Sequence, residues 1–398
     1  MMGYTYTAEQ RAFFEAEAFA QFRLAFHAIF EKYADPLRIQ TRLRKDFPAL
    51  PPGLISAGVA QCLLQRKAAE KTGLSARALY TRESFEQASS AATARLHASL
   101  LAGRGRILEW CGGAGSDTAA IARHAESVTV FEADAEVASF LRHNVAAAGL
   151  ANVTIVEAVA ESAASPKDLA GFDALFADPS RRREGRRTIR GEQYSPPISL
   201  CHAASEMLPT MVKTAPASDF EEASWSRMFV ALGDECKEQL LLRGFDVPAV
   251  CAVDAASGER WTPSIENHGA VKSPRYLIEP HAAVIRTGAV QAYFAEHGAV
   301  PSDPMIAYGV SAALPLPSRW HAAFEILDVL PFQRTRVQEA IRAHGFGPLT
   351  EIKKRGFRLL PEEIRAMFRF DGTAAGVLIC TRIQDEHVVY LCRRVGGV

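Results

Sequence analysis

Ile107-Leu108-Glu109-Trp110-Cys111-Gly112-Gly113-Ala114-Gly115-Ser116-Asp117-Thr118 sets the architecture of this 398-residue chain. A short apolar run leads into three glycines within four positions, and an alanine-rich segment follows, so the predicted order is strand, tight turn, helix. Glycines at such a turn let a ligand come against the backbone. The helix beyond them offers unpaired N–H groups at the carboxyl edge of a sheet. Taken alone, the turn fits any Rossmann-like fold.

Working outward, the run Val128-Thr129-Val130-Phe131 ends in Glu132, 17 positions after Gly115. An acid at the end of a second strand can accept both hydroxyls of a ribose. Further on, Phe172-Asp173-Ala174-Leu175-Phe176-Ala177 leads to Asp178-Pro179, a carboxylate at the tip of a fourth strand above the same crevice. Short apolar runs at 106–110, 127–131, 153–156, 174–177 and 210–213 alternate with amphipathic stretches, which predicts parallel βαβ units in a doubly wound α/β sheet. Position 118 is Thr. The third glycine of G-x-G-x-x-G is therefore missing, which argues against a nicotinamide dehydrogenase.

The run 108–115 resembles motif I of class I methyltransferases, in the variant of many RNA methyltransferases where a bulky residue, here in Trp110-Cys111, precedes the glycines. Glu132 falls at that family's ribose acid and Asp178-Pro179 at its motif IV Asp-Pro. More closely, Asp178-Pro179-Ser180-Arg181-Arg182, Glu86-Gln87-Ala88, Tyr276-Leu277-Ile278-Glu279-Pro280 and Glu351-Ile352-Lys353-Lys354-Arg355-Gly356 are similar to bacterial class I methyltransferase-like proteins with a THUMP-like C-terminal domain. The likeness runs over nearly the whole chain. It implies a Rossmann-like methyltransferase sheet, a helical N-terminal domain and a small α+β (ferredoxin-like, then THUMP-like) C-terminal part. It implies S-adenosylmethionine as cofactor, held by Glu109, Cys111, Gly113, Gly115, Thr118, Glu132 and Asp178, with Asp178 and Pro179 as the catalytic pair. Two positions depart from the pattern. Val159 stands where many relatives carry an acid that touches the adenine, which leaves that role to backbone groups or Glu161. Arg181 stands where amino-methylating relatives usually carry an aromatic residue, against N6-adenine methylation.

Expected domain limits are 1–102 (helical), 103–272 (methyltransferase), 273–330 (ferredoxin-like) and 331–398 (THUMP-like). In the first, Thr7 and Gln10 form a capping-box start, and Phe19, Phe22, Phe26, Ile29 and Tyr33 recur at helical steps along one core-facing stripe. A further helix is expected from about Thr81 through Phe85, Ala88, Ala92 and Leu96 until Gly103. Beyond 331, helices at 334–343 and 361–368, a strand near 349–352 and two closing strands are expected.

Composition excludes disorder and fibrous repeats, with 48% hydrophobic and 23% charged residues. The 45 basic and 45 acidic residues cancel, so a nucleic-acid partner depends on where positive charge clusters. It clusters at 181–190, six arginines and one glutamate directly after the Asp-Pro pair. Arg181, Arg182, Arg186 and Arg187 there suit bidentate phosphate binding, and Lys353, Lys354 and Arg355 form a second patch. THUMP domains bind RNA, so the resemblance implies an RNA-docking role for this second patch; with the arginines beside the Asp-Pro pair as substrate contacts, RNA (tRNA or rRNA) is the expected partner, while a solvated basic face accounts for the same residues. The seven cysteines show neither C-x-x-C nor zinc spacing, so no metal or disulfide framework is expected. With no Asp-Pro cysteine, the covalent route to pyrimidine C5 is disfavoured, Cys201 being the remote exception. No leader and no membrane-length apolar run is seen, and a cytoplasmic protein is expected. Two other functions stand beside the RNA methyltransferase: a silent adaptor that keeps the fold, and a methyltransferase of another substrate.

Overall fold

Thr7 starts the first helix as predicted: its hydroxyl accepts from the Gln10 N–H at 3.2 Å, and the Gln10 side chain accepts from the Thr7 N–H at 3.0 Å. The structure, a computed structural model, describes residues 5–33, 35–183, 186–220, 222–264, 271 and 273–395; of 182–183 and 186–187 it describes the backbone alone. The chain divides into two compact units, one of residues 1–226, 238–247 and 255–258 and one of residues 227–237, 248–254 and 259–398.

The first unit opens with α1 (Ala8–Glu15), α2 (Glu17–Phe30), α3 (Pro36–Asp46), α4 (Pro52–Lys71), α5 (Arg82–Gln87) and α6 (Ala91–Leu101). Phe19, Phe22, Phe26 and Ile29 of α2 are buried with Phe13, Phe14, Ile39 and Ile55 in one cluster. Each such side chain contributes about 1.5–3 kcal/mol by leaving water. Gly58 of α4 is required there, because a Cβ would lie 2.6 Å from the Phe22 ring. Tyr33, expected on the same face, falls past the end of α2 and is 45% exposed. The single helix expected after Thr81 is two helices. Ala88 leaves helical geometry, and the Ser90 hydroxyl accepts from the Thr93 N–H to start α6 afresh. The break at 88–90 turns Ser89 inward.

Next come β1 (Arg106–Trp110), α7 (Ser116–Ala122), β2 (Ser127–Glu132), α8 (Ala135–Ala147), β3 (Val153–Glu157), α9 (Pro166–Leu169), β4 (Ala174–Ala177), a hairpin of β5 (Arg182–Arg183) and β6 (Arg186–Arg187), α10 (Ile198–Ser205) and β7 (Thr210–Thr214). Then follow β8 (Ser226–Leu232) and β9 (Glu235–Arg243), whose residues from Glu238 onward return to the first unit. Within this unit the strand order is β9-β7-β4-β1-β2-β3, all parallel except β9 against β7. Order reverses between β1 and β4, and in doubly wound sheets ligands sit at that crevice, outside the carboxyl ends of the strands. Every residue of β4 and β7 is buried, as expected of strands covered on both faces.

The second unit contains the parallel pair β8 and β10 (Val250–Asp254), with β11 (Arg260–Trp261) antiparallel to β10. The remaining strands are β12 (Tyr276–Pro280), β13 (Ala299–Asp303), β14 (Ile306–Ser311), β15 (His321–Pro331), β16 (Glu351–Lys354), β17 (Val377–Ile383) and β18 (Glu386–Val395). They form a seven-stranded sheet, β13-β14-β12-β15-β18-β17-β16, antiparallel except for β16 beside β17. The helices expected after 331 appear at Arg334–Ala343 and Pro361–Met367, over a core of Val337, Ile341, Phe346, Ile364, Leu378 and Leu391. Among the described residues no helix is long and apolar enough to cross a membrane.

Candidate active site

Strand β1 delivers Trp110 into the core, and the chain then turns through Cys111, Gly113 and Gly115, at φ of 68°, 56° and 87°. Glycine takes such angles without penalty, while Cys111 does so at a cost of about 1–2 kcal/mol. Gly112 has a different constraint. A Cβ there would lie 2.4 Å from Val130 and 2.8 Å from Leu141, so this glycine seats the loop against β2 and α8. At Gly113 a Cβ would meet nothing within 4 Å; the loop is open at that point.

Glu132, at the tip of β2, faces this loop. Its Oε2 accepts from the Gly113 N–H and its Oε1 from the Asp134 N–H, both at 3.0 Å. Burial pushes the carboxyl up from its ordinary range, against those hydrogen bonds. A carboxylate has about four acceptor positions. The Ala133 N–H also bonds this carboxyl, so three backbone donors hold it and the remaining acceptor capacity is left for ribose hydroxyls. Open space beside Gly113 and a carboxylate fixed by backbone at the strand tip fit the ribose of S-adenosylmethionine.

Glu109 and Thr118 are placed differently from the other predicted loop residues. They are 1% and 0% exposed, and the Thr118 hydroxyl donates to Glu109 Oε1 at 3.0 Å. Glu109 Oε2 is buried with no partner among the described residues. Burial, followed by the nearby Asp117, raises this carboxyl well above the ordinary range, which favours its neutral form. Val159 is 52% exposed, and Glu161 lies in the short 3-10 turn Ala160–Ala163.

Asp178 follows β4, its N–H donating to the Trp110 carbonyl at 3.1 Å, and the chain continues through Pro179 to a bridge between Ser180 and Ser195. Asp178 Oδ2 accepts from Lys213 Nζ at 2.6 Å. Lys213 lies on β7, is 2% exposed, and also donates to Ser89 Oγ at 2.7 Å and Asp117 Oδ2 at 3.3 Å. Ser89 donates in turn to Asp117 Oδ2 at 2.7 Å. The other oxygen of Asp117 meets His97 Nδ1 at 2.7 Å, and His97 Nε2 meets Glu238 Oε1 at 2.6 Å. With both ring nitrogens against carboxylates, both must donate, so the ring is an imidazolium. Burial opposes that charge, but Glu238 and Asp117 outweigh it and raise the group to about 9. The same cations hold Asp117 well below the usual carboxylate range despite its burial.

Sequence reasoning singles out none of Lys213, His97, Asp117, Glu238 and Ser89. One signal exists: a lysine inside an otherwise apolar buried strand requires a partner. Among the cysteines, burial raises the Cys111 thiol well above its ordinary value and Cys201 to about 12, so neither is a ready nucleophile. No group of three His, Cys, Asp or Glu residues that could hold a metal ion occurs among the described residues.

Arg181 is half-buried, three positions past Asp178. The backbones of 182–183 and 186–187 pair as an antiparallel hairpin, while the side chains of Arg182, Arg186 and Arg187 lie outside the described residues. Lys353, Lys354 and Arg355 belong to the second unit. There Lys353 pairs with Glu279 at 2.7 Å and Glu351 at 3.3 Å, Arg355 pairs with Glu279 at 3.4 Å, and Lys354 donates to the Phe357 carbonyl. Much of that patch is thus neutralised locally.

Two family models match the chain: "Conserved hypothetical protein 95" over residues 81–188 and "THUMP domain-like" over residues 321–394. Proteins of two Mycobacterium tuberculosis strains, CDC 1551 and H37Rv, each named an uncharacterized S-adenosylmethionine-dependent methyltransferase, are 30% identical to it over 364 residues. That span is 84% of this chain and 96% of theirs. The crystal structure of a proposed methyltransferase from Porphyromonas gingivalis W83 superposes with a TM-score of 0.71 at 20% identity, covering 87% of this chain and 92% of that one, which shows the fold. By its full-length relatives and its class I sheet, the chain belongs to the S-adenosylmethionine-dependent methyltransferases.

Proposed function

We propose that this methyltransferase acts on structured RNA (tRNA or rRNA) in the cytoplasm. The observation that carries the proposal is the arginine-rich segment 181–190, which closely follows Asp178 in a chain whose charges balance overall. Guanidinium groups next to the reacting centre draw phosphates toward it. The THUMP domain-like match at 321–394 supports an RNA-docking role for the C-terminal part, within the four-part division at 102, 272 and 330. Seven free thiols suit a reducing compartment.

Bound S-adenosylmethionine supplies a methyl group already activated on a sulfonium, so the protein's task is alignment and exclusion of water. In this proposal Glu132 accepts the ribose hydroxyls, and Cys111, Gly113 and Gly115 shape the loop against the cofactor. Glu109 and Thr118 brace that loop from inside. Asp178 accepts a hydrogen bond from the attacking N–H or O–H, and Pro179 restricts the backbone that carries it. Arg181, Arg182, Arg186 and Arg187 hold phosphates near the reaction. Of Lys353, Lys354 and Arg355, Lys354 is the one with no acid partner among the described residues, whereas Lys353 and Arg355 would share their charge with Glu279.

Tritiated S-adenosylmethionine incubated with fractionated cellular RNA tests the substrate class: label in one RNA fraction is the expected result, and label confined to protein or small molecules overturns it. Two further outcomes follow. Glu132→Gln removes a charged acceptor from two hydroxyls, and calorimetry should show S-adenosylmethionine binding about 10 to 100 times weaker; unchanged affinity takes the ribose away from Glu132. The Arg181→Ala/Arg182→Ala double variant should reduce the slope of log affinity for RNA against log salt by about 1 for each phosphate no longer neutralised. An unaltered slope leaves the segment without a phosphate role.

A further inference from the structure

We infer that Lys213 is the positioning residue of the site: from within the sheet it clamps Asp178 Oδ2 and so leaves Oδ1 as the single acceptor offered to the reacting group. This rests on the proposal that Asp178 faces the transferring methyl. The geometry has three parts. Lys213 Nζ lies 2.6 Å from Asp178 Oδ2, and Asp178 Oδ1 has no partner among the described residues. The ammonium cannot swing away, because Ser89 Oγ at 2.7 Å and Asp117 Oδ2 at 3.3 Å take its other protons and Glu238 Oε2 lies at 4.0 Å. Those acceptors are themselves fixed, since His97 bonds Asp117 at 2.7 Å and Glu238 at 2.6 Å while its ring packs on Phe176 of β4. Every member except Asp178 is at least nine-tenths buried. An arrangement of two cations and three carboxylates is costly to bury and tolerates little displacement. Asp178 alone reaches from it toward solvent, its side chain 25% exposed. A carboxylate on a strand tip would otherwise rotate about χ1 and χ2; the lysine removes that freedom, and with it the chance that either oxygen points away from the nucleophile.

The test needs no RNA. Sinefungin carries an amine-bearing carbon where S-adenosylmethionine carries its methylated sulfur, and S-adenosylhomocysteine has neither group, so the ratio of their affinities reads an acceptor aimed at the methyl position. Calorimetry on the full chain should show sinefungin bound about tenfold more tightly, and Asp178→Asn should erase the difference. The charge-conserving Lys213→Met/Asp117→Asn variant should erase it too, with S-adenosylhomocysteine affinity held within about twofold. Ser89→Ala removes one anchor of the ammonium and should lower the ratio in part; it also decides the matter if the double variant fails to bind S-adenosylhomocysteine. A ratio lost in Asp178→Asn but kept in the Lys213 and Ser89 variants overturns the role of Lys213 and leaves Asp178 at the methyl. A wild-type ratio near one, indifferent to Asp178→Asn, removes Asp178 from the methyl and takes both proposals with it.

Discussion

Asp178→Asn is expected to slow methyl transfer about 1,000-fold, in the range by which positioned proton acceptors accelerate such steps. Asparagine keeps the shape of the side chain and one oxygen. What it loses is the negative charge that both bonds Lys213 and attracts the hydrogen of an attacking N–H. Because that hydrogen becomes acidic only as the new bond to carbon forms, the loss falls on the transition state, and kcat and kcat/KM should drop together. S-adenosylmethionine affinity should fall by about tenfold at most, the loss expected when a carboxylate no longer faces the sulfonium, since the ribose contacts assigned to Glu132 do not involve Asp178. Rates of tritium transfer into RNA, with calorimetry on the same preparation, separate the two effects. Turnover within tenfold of wild type would remove Asp178 from the chemistry.

How far residues reveal the site depends on whether a geometric need shows as a residue type. Gly113 and Gly115 take positive φ, and Gly112 has no room for a Cβ. Those needs appear in the sequence as glycine, so the loop is readable, and Glu132 and Asp178 follow from their places at strand tips. Cys111 takes a positive φ as well, but a non-glycine residue in that region leaves no trace in composition. The charge network is hidden for another reason. His97, Asp117, Lys213 and Glu238 come from α6, α7, β7 and β9, and the bond between His97 and Glu238 spans 141 positions. Each residue alone reads as an ordinary polar position on its element, and only strand order brings them together. Ser89 shows the same limit on a smaller scale. The apolar periodicity through Phe85, Ala88 and Ala92 predicts one helix, and the Ser90 cap that divides it leaves Ser89 free to turn toward Lys213. In the C-terminal part, Lys353 and Arg355 read as a basic face because Glu279, which bonds both, lies on β12 and reaches them through tertiary pairing.

His97→Asn should cost about 3–5 kcal/mol of stability at pH 6.5, the usual penalty for breaking a buried charge arrangement by removing one partner. The histidine is the cation that bonds both Asp117 and Glu238, and asparagine replaces it with a neutral group. The pH dependence distinguishes this cause from lost packing. In the folded chain the imidazole is raised to about 9 from the ordinary 6.5, so its contribution is complete below about pH 6.5 and disappears as pH rises through 9. Lys213, raised further still, keeps its charge throughout that interval. Glu109 acts in the same direction as His97: its carboxyl is raised, so its burial costs more as pH climbs above about 4.5. That cost is common to both proteins and cancels in their difference. The stability gap between wild type and His97→Asn should therefore be widest near pH 6 and narrow by on the order of 3 kcal/mol by pH 10. Urea denaturation followed by tryptophan fluorescence can read it, Trp110 being buried on β1 next to β4. A gap that stays constant from pH 6 to 10 would mean that His97 holds its place by shape, and the paired imidazolium would have to be abandoned.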